Sequence, residues 1–234
     1  MVKLQTLALT VGWGVAWAVV GPAAGFACEG PREVRDASPE TIQAFARGKG
    51  MGVLTFVGYS SAGYESTAQM TSQAALILEG QDPARTLINI GATAEGIGAI
   101  YPLAKRRGFT TIGVVSSRAR DSGVAFSPCV DLVFVVPDAS WGGRLPGRME
   151  LSPTSRAMVE GSTAMVAIGG GEVARDELLA AWRAGKPVLF LPADQNHARA
   201  RAQARRQGQP PPTDFRGAVQ AALSAGPAAA GGGP

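Results

Sequence analysis

Three consecutive glycines, Gly169, Gly170 and Gly171, stand between the apolar run AMVAI and the Ala- and Leu-rich segment EVARDELLAAWRAG. A glycine turn leading from a strand into a helix lets a ligand approach the backbone, and the free N–H groups at the helix start attract an anion such as phosphate. The same residues also make a tight corner with no ligand at all. Glu172, Asp176 and Glu177 follow the turn. Acids at a helix start are favourable partners of its dipole, and they oppose a further anion there. Glycines and hydroxyls recur after two earlier apolar runs: Gly58 precedes Ser60, Ser61 and Tyr64 in GYSSAGYES, and Gly91 precedes Thr93, Glu95, Gly96 and Gly98 in GATAEGIG. Such groups bind a nucleotide or sugar, or simply build loops. Trp141 shares the loop PDASWGGRLPGR with Arg144 and Arg148, either as a ring for base stacking beside phosphate partners or as an anchor for the loop. His197 is the sole histidine, and the two cysteines, Cys28 and Cys129, lie far apart, so the sequence supports neither a metal site nor a Ser-His-Asp triad.

Positioning these groups falls to a chain of 234 residues, 46% apolar and 17% charged, enough for one sizeable core and a single domain. SPETIQAFARGKG reads as a helix with Ser38 as N-cap, Pro39 in the first helical position and Gly48 at its end. Residues 53–57 form a short continuous apolar run, as in a strand buried on both faces, and apolar residues at helical spacing follow. That alternation repeats through TLINI, TTIGVVSS, VDLVFVVPD, AMVAI and PVLFLP. Parallel neighbours need crossover connections, so the pattern predicts an α/β Rossmann-like three-layer sandwich, a mainly parallel sheet with helices on both faces. The turns at Gly58, Gly91 and Gly169 then share the carboxyl edge of the sheet, where such folds bind ligands. TDFRGAVQAALSAG reads as a last packed helix, and the tail from about Ser224 has no apolar face.

Residues 1–27 have the layout of an export signal: Lys3, the apolar LALTVGWGVAWAVV, then small residues ending at Gly25 and Ala27. The expected organisation is therefore a signal at 1–27, an N-terminal helix and linker at 28–50, a Rossmann-like domain at 51–223 and a tail at 224–234. In an oxidising compartment Cys28 can pair with Cys129. GFAC also resembles a lipoprotein box with Gly where Leu is usual, and a lipid on Cys28, which would hold the protein to a membrane, excludes the disulfide. The net charge of +4 rests largely on HARARAQARRQG, read as a solvated basic helix face, and no nucleic-acid partner is expected.

Residues 167–194, AIGGGEVARDELLAAWRAGKPVLFLPAD, resemble the signature of the SLOG superfamily, which includes the Lonely Guy phosphoribohydrolases, the proteins once labelled lysine decarboxylases and the molybdenum cofactor carriers. Against the motif Pro-Gly-Gly-x-Gly-Thr-x-x-Glu, Gly169 stands at the Pro, Gly170 and Gly171 at the first two glycines and Glu177 at the glutamate, and Gly185, Lys186, Pro187 and Val188 match the following Gly-Lys-Pro-Val. GATAEGIGAIYPLAKRRGFTTIGVVSS is similar to the family's other glycine turn, with Gly98, Ala99 and Gly108 in step, and SPTSRAMVEGS offers Arg156 near the family arginine. Val173 and Ala174 depart from the motif, replacing the Gly-Thr pair that holds phosphate. The resemblance covers residues 53–194. It implies a nucleotide or related phosphorylated ligand, the one cofactor-type group expected, held by Gly58, Ser60, Ser61, Gly91, Thr93, Gly96, Gly98 and the triple glycine. In the hydrolase branch it further implies Glu177 and Arg156 as catalytic residues at a ribosyl bond, and a homodimer. The alternative is an envelope protein that kept the fold, lost the chemistry and binds a partner or membrane surface through its basic C-terminal helix or a loop.

Overall fold

A computed structural model describes residues 28–225; the segment 1–27, where an export signal is expected, and residues 226–234 of the expected tail lie outside the described residues. Seven strands form one parallel sheet: β1 (Glu33–Asp36), β2 (Gly52–Gly58), β3 (Thr86–Ile90), β4 (Thr110–Ser116), β5 (Leu132–Val136), β6 (Ala164–Ile168) and β7 (Val188–Leu191), in the spatial order β1-β5-β4-β3-β2-β6-β7. The helices are α1 (Pro39–Lys49), α2 (Thr67–Glu79), α3 (Ile100–Arg106, entered through the 3-10 turn Gly96–Ala99), α4 (Ser117–Asp121), α5 (Pro153–Gly161), α6 (Glu172–Arg183), α7 (His197–Arg206) and α8 (Gly217–Ser224).

Inner strands such as VLTFV and LVFVV are almost wholly apolar because both faces are covered; the exception, Thr55, satisfies its hydroxyl with Ser162 and Asn89. On one side Leu54, Phe56, Ile88 and Val166 pack under Met70 and Leu78 of α2 and Tyr101 of α3. On the other, Val53, Ile112, Phe134 and Met165 meet Ile42 of α1, Met158 of α5, Leu178 of α6 and Val219 of α8. Each fully buried Phe, Leu or Ile contributes about 1.5–3 kcal/mol.

Two boundaries differ from the sequence reading. Ser38 does cap α1, its hydroxyl accepting from the Thr41 N–H, but Gly48 lies inside the helix and the left-handed residue that ends it is Gly50, at φ 62°. Residues 28–50 are part of the main body rather than a linker, because β1 pairs in register with β5, Glu33 opposite Leu132, and α1 joins the second core. Cys28 is joined to Cys129 by a disulfide with Cα atoms 4.8 Å apart.

The strand order locates the functional edge. From β2 the chain steps outward through β3, β4 and β5, then returns to the other side of β2 as β6. The helices after these two neighbours leave to opposite faces, α2 to one core and α6 to the other. A crevice therefore opens between the carboxyl ends of β2 and β6, the place where open parallel sheets bind ligands.

Candidate functional site

The crevice between β2 and β6 is lined by tyrosine. Tyr59 and Tyr64, both buried, pack edge to face with ring centroids 5.2 Å apart. The Tyr64 hydroxyl donates to the Ile168 carbonyl at 2.8 Å and accepts from the Tyr59 N–H at 3.2 Å, so it ties the loop after β2 to the end of β6. The Tyr59 hydroxyl lies 3.4 Å from the Ala193 carbonyl and 3.3 Å from that of Phe215. Burial raises both phenol pKa values, which keeps them neutral donors.

The triple glycine sits beside them and divides in two. Gly169 and Gly170 have φ of 55° and 127°, in the region that favours glycine, and neither has room for a side chain. A Cβ on Gly169 would meet the Tyr59 ring and the Ala193 carbonyl; one on Gly170 would meet Ala174 and Val219. The Gly170 carbonyl accepts from the Val219 N–H of α8 at 3.3 Å, so the chain's own C-terminal helix rests on the turn. Gly171, the N-cap of α6, is different: it has extended backbone and open space where a Cβ would stand. The helical bonding begins with Arg175 N–H to Gly171 O at 3.0 Å, which leaves the N–H groups of residues 172–174 ahead of the ladder, the arrangement that attracts an anion.

Of the acids of α6, Glu172 is exposed, while Asp176 and Glu177 turn inward under the loop that follows β5. Glu177 is 5% exposed, and its Oε1 accepts from the Ser155 hydroxyl at 2.6 Å, while the Gly143 N–H donates to that hydroxyl at 2.7 Å. Burial raises the Glu177 pKa to about 7; the Ser155 hydrogen bond opposes the rise and the charge of Asp176 adds to it. Asp176 is held by the Arg175 guanidinium at 2.9 and 3.0 Å and by the Arg144 N–H at 3.2 Å. A carboxyl titrating near neutrality suits proton transfer, but this one is sealed by Ser155 and the glycines of the loop.

The arginine paired with Glu177 in the sequence reading is elsewhere. Arg156 is exposed on the outer side of α5, and its charge acts on Glu40 of α1, whose pKa is lowered first by the Ser38 hydroxyl and in smaller part by Arg156. Helical geometry explains the separation: Ser155 takes the face toward α6, and the next residue points about 100° away. The neighbouring helix start is also occupied. Asp138 accepts from the Thr154 N–H of α5 at 3.0 Å and from the Ser140 N–H and hydroxyl at 2.8 and 2.7 Å. Although burial acts to raise its pKa, these hydrogen bonds outweigh that effect and lower it.

Among the remaining candidates, the turn of Gly91, Thr93, Gly96 and Gly98 is stitched to the β2 loop by Ile97 N–H to Tyr59 O at 2.7 Å. Gly58, Gly96 and Gly98 lie against the Tyr64 hydroxyl and neighbouring backbone, whereas Gly91, Ser60 and Ser61 are exposed. Thr93 spends its hydroxyl on the Glu95 backbone. Arg199 of α7 reaches across this mouth to the Ser61 carbonyl at 2.7 Å and the Glu95 carboxylate at 3.3 Å. The exposed Trp141 ring is met by Arg118 at 5.2 Å, while Arg144 turns to Asp176 and Arg148 to Glu150. His197 stands 3.2 Å from Asp194 and stacks on Phe215 at 3.9 Å. Tyr59, Ser155, Arg199, Phe215 and Val219 were missed by sequence reasoning. Tyr59 had a signal, an aromatic one step past the strand that ends at the crevice, but the closure by Phe215 and Val219 had none.

No protein-family model and no curated protein matches the sequence. The fold is similar to that of solved molybdenum cofactor carriers. The molybdenum cofactor carrier protein of Chlamydomonas reinhardtii aligns at 21% identity over 60% of this chain and 76% of its own, with a TM-score of 0.44. The molybdenum cofactor binding protein of Rippkaea orientalis aligns at 20% identity over 68% and 85%, with a TM-score of 0.43. DNA processing protein A of Streptococcus pneumoniae aligns at 14% identity over 75% and 62%, also with a TM-score of 0.43.

Proposed function

We propose that the protein is an exported SLOG-like binder of a nucleotide or related phosphorylated ligand, and that it works without glycosidic hydrolysis. The observation that carries the reading is the switch point itself: β2 and β6 send their helices to opposite faces and bring the two family glycine turns to one crevice, with Tyr59 between them. Gly171 with the free amides of α6 and the exposed Ser60, Ser61 and Gly91 offer the polar contacts for such a ligand. Against hydrolysis stands the geometry of Glu177, sealed by Ser155, with Arg156 on the far side of α5. Export is supported by the signal-like residues 1–27 and by the Cys28–Cys129 disulfide, a bond that persists in oxidising compartments. That disulfide uses the sulfur a lipid anchor would need.

The partner-binding alternative has one observation in its favour. Among the described residues Arg205 and Arg206 of α7 are exposed and form no ion pair, and Arg201 lies over the Phe215 ring. A thermal-shift series decides between the two, using the chain from Cys28 onward with adenosine mono- and diphosphate, cyclic AMP, ribose 5-phosphate and the molybdenum cofactor. A ligand at one hundred times its Kd adds about 2.7 kcal/mol of stability, a concentration-dependent shift of several degrees. The expected result is such a shift with one phosphorylated class and no base released from adenosine monophosphate. A flat response to every compound would overturn the ligand reading in favour of partner binding, and base release that Glu177→Gln abolishes would restore hydrolysis.

A further inference from the structure

The segment that rests on the glycine turn packs along α6 but buries few side chains. Residues 207–216, which join α7 to α8, carry Pro210, Pro211 and Pro212, and Phe215 is the one buried residue among them. In α8 the one buried residue is Val219. These two anchors have different partners. Phe215 is held between the His197 ring and the Arg201 guanidinium, 5.1 Å away, and its carbonyl accepts from the Gln195 N–H at 2.9 Å. Val219 lies over Gly170, with its N–H on the Gly170 carbonyl. Between them Gly217, at φ 78°, is pressed against the Tyr59 hydroxyl and the same Gly170 carbonyl. The part of the crevice nearest Gly169 and Gly170 is thus filled by residues 215–219 of the same chain.

We propose that residues 215–224 are a detachable strap that gates the crevice: seated, it covers the Gly170 turn, and a phosphorylated ligand reaches that turn only when the strap lifts. The inference rests on the ligand reading above. A segment with two buried anchors and a long exposed tether opens at a small fraction of the free energy of global unfolding. A closed gate lowers apparent affinity by the fraction of molecules that are open. Gly217 gives a handle outside the turn. A valine there is disfavoured at positive φ and its Cβ would overlap the Tyr59 hydroxyl and the Gly170 carbonyl, so Gly217→Val lifts the strap without altering Gly169, Gly170 or Gly171.

The test combines amide hydrogen exchange with calorimetric titration of adenosine monophosphate and ribose 5-phosphate, on the chain from Cys28 onward and on Gly217→Val. Phe215→Ala, which loosens the other anchor, serves as a second variant should Gly217→Val fail to fold. In the unsubstituted chain the amides of Val219 to Leu223 are expected to exchange roughly a hundredfold faster than those of Leu178 and Leu179 in α6. The released variant is expected to bind the phosphorylated probe about tenfold more tightly. Strap amides as protected as those of α6 overturn the gate, even where the unsubstituted chain binds the probe. Unchanged affinity in a variant whose strap exchanges freely overturns it equally. Binding by none of the forms sinks the ligand reading, and the gate with it, while fast exchange still marks the strap as a separately opening unit.

Discussion

A carboxyl sealed between two helices holds its proton to a higher pH than it does in water, and Glu177 is such a group. Its pKa rises from 4.5 to about 7 on folding, with burial as the main cause. Between these values the unfolded chain has released the proton and the folded one keeps it, so stability falls as pH rises from 4.5 to 7 and is flat above. Glu177→Gln keeps an acceptor for the Ser155 hydroxyl and cannot ionise. The variant should match the unsubstituted protein at pH 4.5 and exceed it by about 3 kcal/mol at pH 8. Urea unfolding at the two pH values reads the difference, and parallel pH profiles would show that the carboxyl is not sealed. At this scale the sequence was half legible. Glu177 stood out by its place in the motif, but its partner depended on which of two adjacent residues, Ser155 or Arg156, faces α6, and a one-residue step around a helix is the smallest difference that sequence leaves open.

The elements were legible wherever a largely apolar run marked the strand, as in β2, β5, β6 and the edge strand β7, and illegible at the other edge of the sheet. β1, with the sequence EVRD, has no such run because it has a neighbour on one side only: Val34 is exposed, and Arg35 turns inward to lie 5.3 Å from the Phe45 ring centroid and 4.9 Å from that of Phe134. An inward charge on an edge strand discourages pairing with another chain, and the prolines at positions 187 and 192 that bracket the four-residue β7 do the same at the other edge. Besides its pairing with β5, β1 is held by what precedes it. The Cys28–Cys129 bond and the Gly30 N–H to Pro128 O bond at 2.7 Å fix the entry to the strand. The bridge closes a loop with a sequence separation of 101, so Cys129→Ser should cost about 2–4 kcal/mol in denaturant unfolding, and the amides of β1 should gain exchange before those of β5. Equal stability of the two proteins would mean that the bridge does not restrain the edge.

The whole molecule is two cores on one sheet, and β2, next to the central strand β3, serves both: Val53 and Val57 face one core, Leu54 and Phe56 the other. The switch point was legible because the order of strands and helices follows from local periodicity. The closure of its crevice was not, because the contact of Val219 with Gly170 is decided by where a distant C-terminal segment docks. The same crevice is where the two halves are most nearly separate, since the loops after β2 and β6 leave in opposite directions. The Tyr64 hydroxyl bridges them, donating to Ile168 O and accepting from Tyr59 N. In Tyr64→Phe both of those buried backbone groups lose this partner, an expected loss of about 1–3 kcal/mol. Because every central strand serves both cores, the loss should be shared rather than local: tryptophan fluorescence and far-UV circular dichroism should report one lowered urea midpoint with the slope unchanged. Two separated transitions would mean that the halves on either side of the switch point unfold independently, and an unmoved midpoint would mean that the hydroxyl does not join them.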